Sequence, residues 1–374
     1  MISLILTILG GILLLIIVLA PLVIGHEFGH FIMARRNGVR VDEFGIGFPP
    51  RAGKGKRVGE TLYTLNWLPL GGFVRLAGED GQSTEKGTFA AANLWAKTKI
   101  LLAGVVMNLI IAVILLFILC LVGIPGLGSQ FEPSFLHPTY NQPKQLILTS
   151  VEPGSPAAKA GLKKDDYVLS GNGTVFTSEI QLQDFTTAHA GQKVTLVVRE
   201  SGTVMTREVT LRKPNNDGIL GVTPQQVYKL RYSPVEALIA AIYITIALFV
   251  ATIVAIVSLI IHIPSLIMGL FSSGVPSSAQ AASGPVGIVF ILSSIGGLGL
   301  SYFFLIVANI SVALAAFNVL PLPALDGGRL AVAYVRKLTG GKISTESEGL
   351  YHGIGFLALI ALVIVITIYD FRKF

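Results

Sequence analysis

Residues 2–30 read ISLILTILGGILLLIIVLAPLVIGHEFGH, an apolar run that closes on His26-Glu27-Phe28-Gly29-His30. The apolar part, 2–24, matches the ~20 residues a helix needs to cross the hydrocarbon core. In a helix, residues four apart lie one above the other on one face. His26 and His30 can therefore reach one metal ion while Glu27 holds a water beside it. In a soluble chain the same pattern also arises by chance, as a helix-end cluster satisfied by backbone carbonyls. At membrane depth that reading recedes, because ionisable groups there are expensive and are kept mostly for function. The run has neither a basic n-region nor a small-residue cleavage site, so it is expected to stay as a span rather than be removed as a signal peptide.

The rest of the chain agrees with a membrane setting. Of 374 residues, 52% are hydrophobic and only 13% charged, which excludes an ordinary globular domain of this size. Cys120 is the sole cysteine and lies in an apolar segment, so a disulfide framework and a cysteine metal cage are both excluded. Any metal must be held by His, Asp or Glu. The net charge of +7 does not point to nucleic acid, because 11 of the 28 Lys and Arg residues fall in 35–99, between two apolar segments. Such clustering is that of a cytoplasmic loop under the positive-inside rule, and the lack of any Lys or Arg before Arg35 puts the N-terminus outside.

Four more apolar segments follow, at 100–122, 237–263, 302–320 and 353–369. Between the second and third, residues 145–222 change character: strand-like runs such as 193–199 and 204–211 alternate with turn residues at 152–156 and 171–173. This predicts a small soluble α+β domain, with flexible connections at 123–143 and 272–284.

A catalytic zinc takes three protein ligands plus water, and HExxH supplies two. The candidate third is Asp326, in Asn318-Val319-Leu320-Pro321-Leu322-Pro323-Ala324-Leu325-Asp326-Gly327-Gly328 at the end of the fourth apolar segment. Alone, Leu-Asp-Gly-Gly reads as turn chemistry; beside an incomplete metal site, it reads as a ligand. His26 and His30 lie at the inner end of the first span, so Asp326 must come down at the inner face too. Arg329, Arg336, Lys337 and Lys342 after it agree. The crossings between the two motifs must then be even in number. Segment 237–263 is accordingly expected to lie along the outer interface or to dip in and return, although it is very apolar for an interfacial helix. A transporter would spread ionisable residues over several spans, and a tethered scaffold would need no HExxH. His262, at a segment end, is read as interfacial.

Together these residues resemble the site-2 protease family, and within it the bacterial regulator-of-sigma-E protease subgroup. The resemblance rests on HEFGH in the first span, Gly104-Val105-Val106-Met107-Asn108 in the second, and the Asn318–Gly328 run. The stretch Val151-Glu152-Pro153-Gly154-Ser155-Pro156 through Leu162, with Asp165-Asp166, resembles a PDZ domain, and Gly284-Pro285-Val286-Gly287-Ile288 also fits the subgroup. The resemblance implies a polytopic α-helical membrane protein with a membrane-associated β-hairpin and one inserted α+β PDZ-like domain, where some members carry two in tandem. The implied layout is a first span at 1–36, a cytoplasmic loop with re-entrant hairpin at 37–97, a second span at 98–123, the PDZ-like domain at 145–222, the interfacial or re-entrant segment at 235–271, and spans at 298–328 and 349–370.

By the same resemblance, His26, His30 and Asp326 hold one Zn2+ per chain and Glu27 is the general base. Asn318, Pro321 and Pro323 flank the cleft where substrate unwinds, and Asn108 with Gly104 lines the site, helix packing being an equal reading for Gly104. Residues 39–78, with strands at 61–65 and 72–76 around Pro69-Leu70-Gly71, are either the family's re-entrant hairpin or an ordinary cytoplasmic one. The implied activity is zinc-dependent intramembrane proteolysis of single-span membrane proteins, anti-sigma factors or remnant signal peptides, in the lipid of a bacterial inner membrane. An upstream site-1 protease is an implied partner, and nucleic acid is not.

Overall fold

The computed structural model describes residues 2–79, 85–128, 130–200, 202–213, 218–271, 276, 283–294, 299–340 and 344–373. Lys342 and nearly all of the expected flexible connection at 272–284 lie outside the described residues. The chain divides into two units, Met1–Ile118 with Ala241–Phe374, and Leu119–Ala240.

In the first unit, helix α1 (Ile2–Arg36) runs unbroken through the HExxH pentapeptide. Its apolar residues offer no stop until Gly38, which takes φ +72° and ends the helix as a left-handed cap. A sheet follows, made of β1 (Val41–Arg51), β2 (Lys56–Val58) and β3 (Thr61–Leu76). Where two strands are expected at 61–65 and 72–76, one long strand bends, and its halves pair on opposite sides of β1: Phe44 faces both Tyr63 and Val74, and Gly45 both Thr64 and Phe73. The half at 61–63 also pairs β2, so the half at 72–76 is an outer edge. β1 escapes the sequence reading because its glycines and prolines interrupt the alternation that marks a strand.

Phe31, Ala34, Val39, Val41, Phe44, Leu76 and Ile100 are buried together and fasten this sheet to α1 and to helix α2 (Leu94–Val122). Helix α2 starts on Asn93, whose Oδ1 accepts the Ala96 N–H at 2.8 Å. It lies antiparallel against α1 at glycines: a Cβ on Gly29 would overlap the Ala103 carbonyl, and one on Gly25 would come 2.7 Å from Ile111.

The second unit is an α+β domain wider than the expected 145–222: strands at Ile124–Pro125 and from Thr139 onward fall in the connection expected to be flexible at 123–143, and the last strand runs on to Arg231. Its strands are β4 (Ile124–Pro125), β5 (Thr139–Val151), β6 (Tyr167–Gly171), β7 (Thr174–Val175), β8 (Lys193–Glu200), β9 (Thr203–Thr210) and β10 (Val222–Arg231). They pair in the order β4-β10-β5-β6-β8-β9, with β7 on β6. Helices α3 (Pro156–Lys159) and α4 (Glu179–Ala188) are capped by Ser155 and Ser178. Leu146, Leu148, Val168, Phe176, Leu196, Val198 and Val209 form its core.

Helix α5 (Pro234–Ile261) is continuous over 28 residues and is followed by the short α6 (Ile263–Gly269). An unbroken helix contains no turn by which the segment could dip in and return. Within the second unit, Tyr232 N–H donates to the Cys120 carbonyl at 2.9 Å, which ties the approach to α5 to the last turn of α2. Within the first, Leu259 and Leu266 are buried with Tyr369. Next come α7 (Pro285–Ser294), α8 (Leu300–Val319), α9 (Asp326–Leu338) and α10 (Thr345–Lys373). Asp370 of α10 receives Gly284 N–H and Gly287 N–H at 2.9 and 2.8 Å and so caps α7. Among the described residues five helices are long and apolar enough to cross a membrane: Gly10–Arg36, Leu94–Val122, Pro234–Ile261, Leu300–Val319 and Glu346–Lys373. The chain is a polytopic α-helical membrane protein carrying a β-sheet and an inserted α+β domain.

Candidate metal centre and active site

One turn of α1 puts His26 Nε2 and His30 Nε2 3.1 Å apart, and both imidazoles are buried. Asp326 Oδ2 comes from 300 residues away to within 2.9 Å of His26 Nε2 and 3.2 Å of His30 Nε2. Among the described residues these three form the one cluster of His, Cys, Asp and Glu donors close enough to share a metal, all within 4.8 Å of one another. Two imidazole nitrogens and a carboxylate oxygen are the donor set of an open catalytic zinc site.

The far nitrogens of both rings are also engaged. His30 Nδ1–H donates to the Ile100 carbonyl at 2.7 Å, which leaves Nε2 with its lone pair toward the site. For His26 the partner is Asn108, whose amide nitrogen sits 3.3 Å from Nδ1 while its Oδ1 is buried with no partner among the described residues. A His26 that offers Nε2 to a metal carries its proton on Nδ1 and needs an acceptor. Turning the Asn108 amide over supplies Oδ1 to that proton.

Gly104 lies against the same rings. A Cβ there would come 2.5 Å from His30 Nε2 and 2.6 Å from His26 Nε2, so the absence of a side chain makes room for the imidazoles. Glu27 faces the cavity beside them, and its Oε2 accepts the Val74 N–H at 3.0 Å from the outer edge of β3. The cavity measures about 300 Å3 and is lined by Glu27, Phe73, Val74, Asn108, Asn318 and Asp326 among others.

Leu-Asp-Gly-Gly is not a turn here but the first turn of α9, where a carboxylate is favoured by the helix dipole. Both glycines are required, because a Cβ on either would strike carbonyls of 319–322 in the preceding loop. Asn318 reaches the cavity while its amide donates to the Leu314 carbonyl at 2.9 Å. Pro321 and Pro323 are not among the cavity-lining residues; they shape the loop, with the Tyr351 hydroxyl 3.4 Å from the Pro321 carbonyl. Sequence reasoning missed Val74 and Ile100, because both act through the backbone and carry no residue-type signal. It also missed the ion pair between Glu79, just past β3, and Arg329, one turn after Asp326.

The description "Peptidase family M50" matches residues 14–362. The zinc metalloprotease RasP of Geobacillus kaustophilus is 26% identical, over 96% of this chain and 97% of that one. The regulator of sigma-W protease RasP of Bacillus subtilis is 25% identical over 96% and 97%, and the regulator of sigma-E protease RseP of Salmonella typhimurium 25% over 98% and 100%. Among solved structures, the PDZ domain of the SdrC-like protein of Listeria monocytogenes aligns with 23% of this chain and 90% of its own, at 21% identity and a TM-score of 0.20. A match that takes in both HExxH and Leu-Asp-Gly-Gly covers every residue of the cluster just described, and the chain belongs to peptidase family M50, the site-2 proteases, which are membrane-embedded zinc metalloendopeptidases.

Proposed function

We propose that this protein cuts single-span membrane proteins within the bilayer, close to the cytoplasmic face of a bacterial inner membrane. The observation that carries the reading is the meeting of His26, His30 and Asp326 beside Glu27 in one cavity formed by apolar helices. His26, His30 and Asp326 would be the protein ligands of one zinc ion, which when bound lowers the pKa of water to ~7 and polarises the scissile carbonyl. Glu27 takes the proton of the attacking water and returns it to the leaving nitrogen.

A helical substrate hides its carbonyls in backbone hydrogen bonds and must be opened before attack. The edge of β3 supplies a template for the extended form by strand addition. Its outward amides, Val74 and Leu76, donate to Glu27 Oε2 and Glu79 Oε2 at 3.0 and 3.1 Å. A substrate carbonyl that pairs with Val74 N–H takes that proton from Glu27 and leaves the carboxylate to the water. Asn318 and the Pro321–Pro323 loop would hold the other side of the opened segment.

The relatives named as sigma-E and sigma-W regulators support an anti-sigma factor as substrate, and remnant signal peptides have the same single-span chemistry. The α+β domain, PDZ-like by its sequence, would stand outside the membrane and admit substrates already shortened by another protease. For the cluster to lie inside while that domain lies outside, α5 must begin and end on the outer side.

The decisive experiment compares, by mass spectrometry, short membrane peptides in cells with the active protein and with Glu27→Gln. Uncut single-span peptides should accumulate with the variant, and equal peptide pools would refute the reading.

A further inference from the structure

Asp326 can meet the two histidines only if the loop between α8 and α9 holds its shape, and that loop contains an unfavourable residue. Ala324 takes φ +67°, a left-handed conformation that a side chain makes rarer by roughly tenfold relative to glycine. Something outside the loop must favour it. The Ala324 N–H donates to Nδ1 of His352 at 2.8 Å, on the first turns of α10. Around this bond the same helix fits the loop closely: the Tyr351 hydroxyl reaches the Pro321 carbonyl, and Gly355 lies so near Pro323 that a Cβ there would overlap the ring.

We propose that His352 is a positioning residue, which holds Ala324 in its left-handed turn and thereby sets Asp326 at the metal. The state of the ring supports a specific role. Because Nδ1 accepts, the ring proton is on Nε2, and that atom is buried with no partner among the described residues. A leucine would fill the space without stranding an N–H. What a leucine lacks is an acceptor for Ala324. His352 is not one of the clustered donor residues, so its effect on metal binding runs through the loop.

The inference rests on Asp326 being a ligand, and the test separates the two claims. Zinc affinity of the purified full chain is measured by chelator competition, which needs no cleavage. His352→Ala should weaken zinc about 10- to 100-fold, the range for groups that orient a ligand. His352→Asn should stay within about threefold of wild type, because its Oδ1 is bonded to Cγ as Nδ1 is and can accept the same proton. Ala324→Gly placed in the His352→Ala background should recover most of the loss, since glycine adopts the turn unaided. Wild-type affinity in His352→Ala overturns the inference, as does an equal loss in all three variants. If Asp326→Ala also keeps its zinc, the ligand assignment falls with it; if Asp326→Ala loses zinc while His352→Ala does not, the positioning role alone falls.

Discussion

At the scale of single residues, three substitutions separate ligand, base and space. Glu27→Gln should keep zinc and lower the cleavage rate by at least ~10²- to 10⁴-fold, the worth of a general base, as read by metal content beside a cleavage assay. Asp326→Ala should lose zinc as well as activity, because one of three protein ligands is gone; full occupancy at low free metal would move the ligand elsewhere. Gly104→Ala should also lose zinc although it removes no ligand. Its Cβ would sit 2.5 Å from His30 Nε2, and the ring must turn away. If Gly104→Ala binds zinc as wild type does, the glycine serves helix packing alone. These roles differ in how far they show in the sequence. HExxH is local and legible because the helix repeat brings residues four apart together. The Asp326 glycines read as a turn, and only the folded loop shows that they clear carbonyls for a helix start.

At the scale of elements, the hairpin is the part whose outline was legible and whose pairing was not. Strand residues at 61–65 and 72–76 are visible by composition, but which side of β1 each half takes depends on a chain reversal between them that brings Phe44 opposite two partners. That arrangement leaves 72–76 as the edge beside Glu27. Val74→Pro removes the N–H that reaches Glu27 and should reduce kcat/KM by about tenfold or more, the scale of a lost charge-assisted hydrogen bond, while zinc content stays unchanged. Unaltered kcat/KM would show that neither the base nor the substrate uses this amide.

At the scale of the whole molecule, two opposed demands meet in α5, since an apolar helix of 28 residues is long enough to cross. Composition favours a crossing, whereas the meeting of Asp326 with His26 and His30 requires an even number of crossings between the motifs. In a Cys120→Ser background, single cysteines at Ser233 and Ser283 should both react with a membrane-impermeant thiol reagent applied from outside, and one at Thr339 should not. Reaction at 233 with protection at 283 would mean that α5 crosses.

Hydrophobicity and local spacing are written in the chain itself, so the sequence alone determined that this is a membrane protein with a less apolar insert, and it marked the HExxH pentapeptide as the candidate metal site. The match of three separated motifs in one order extended this to the family and to Asp326. Tertiary structure alone decided what surrounds them. The acceptor for His30 is the Ile100 carbonyl, the donor to Glu27 is the Val74 amide, and the support for the Asp326 loop is His352. Every residue carries the same backbone groups, and a lone histidine in an apolar helix has no local pattern. Such partners acquire meaning only when the fold sets them 3 Å from a charged or metal-binding group.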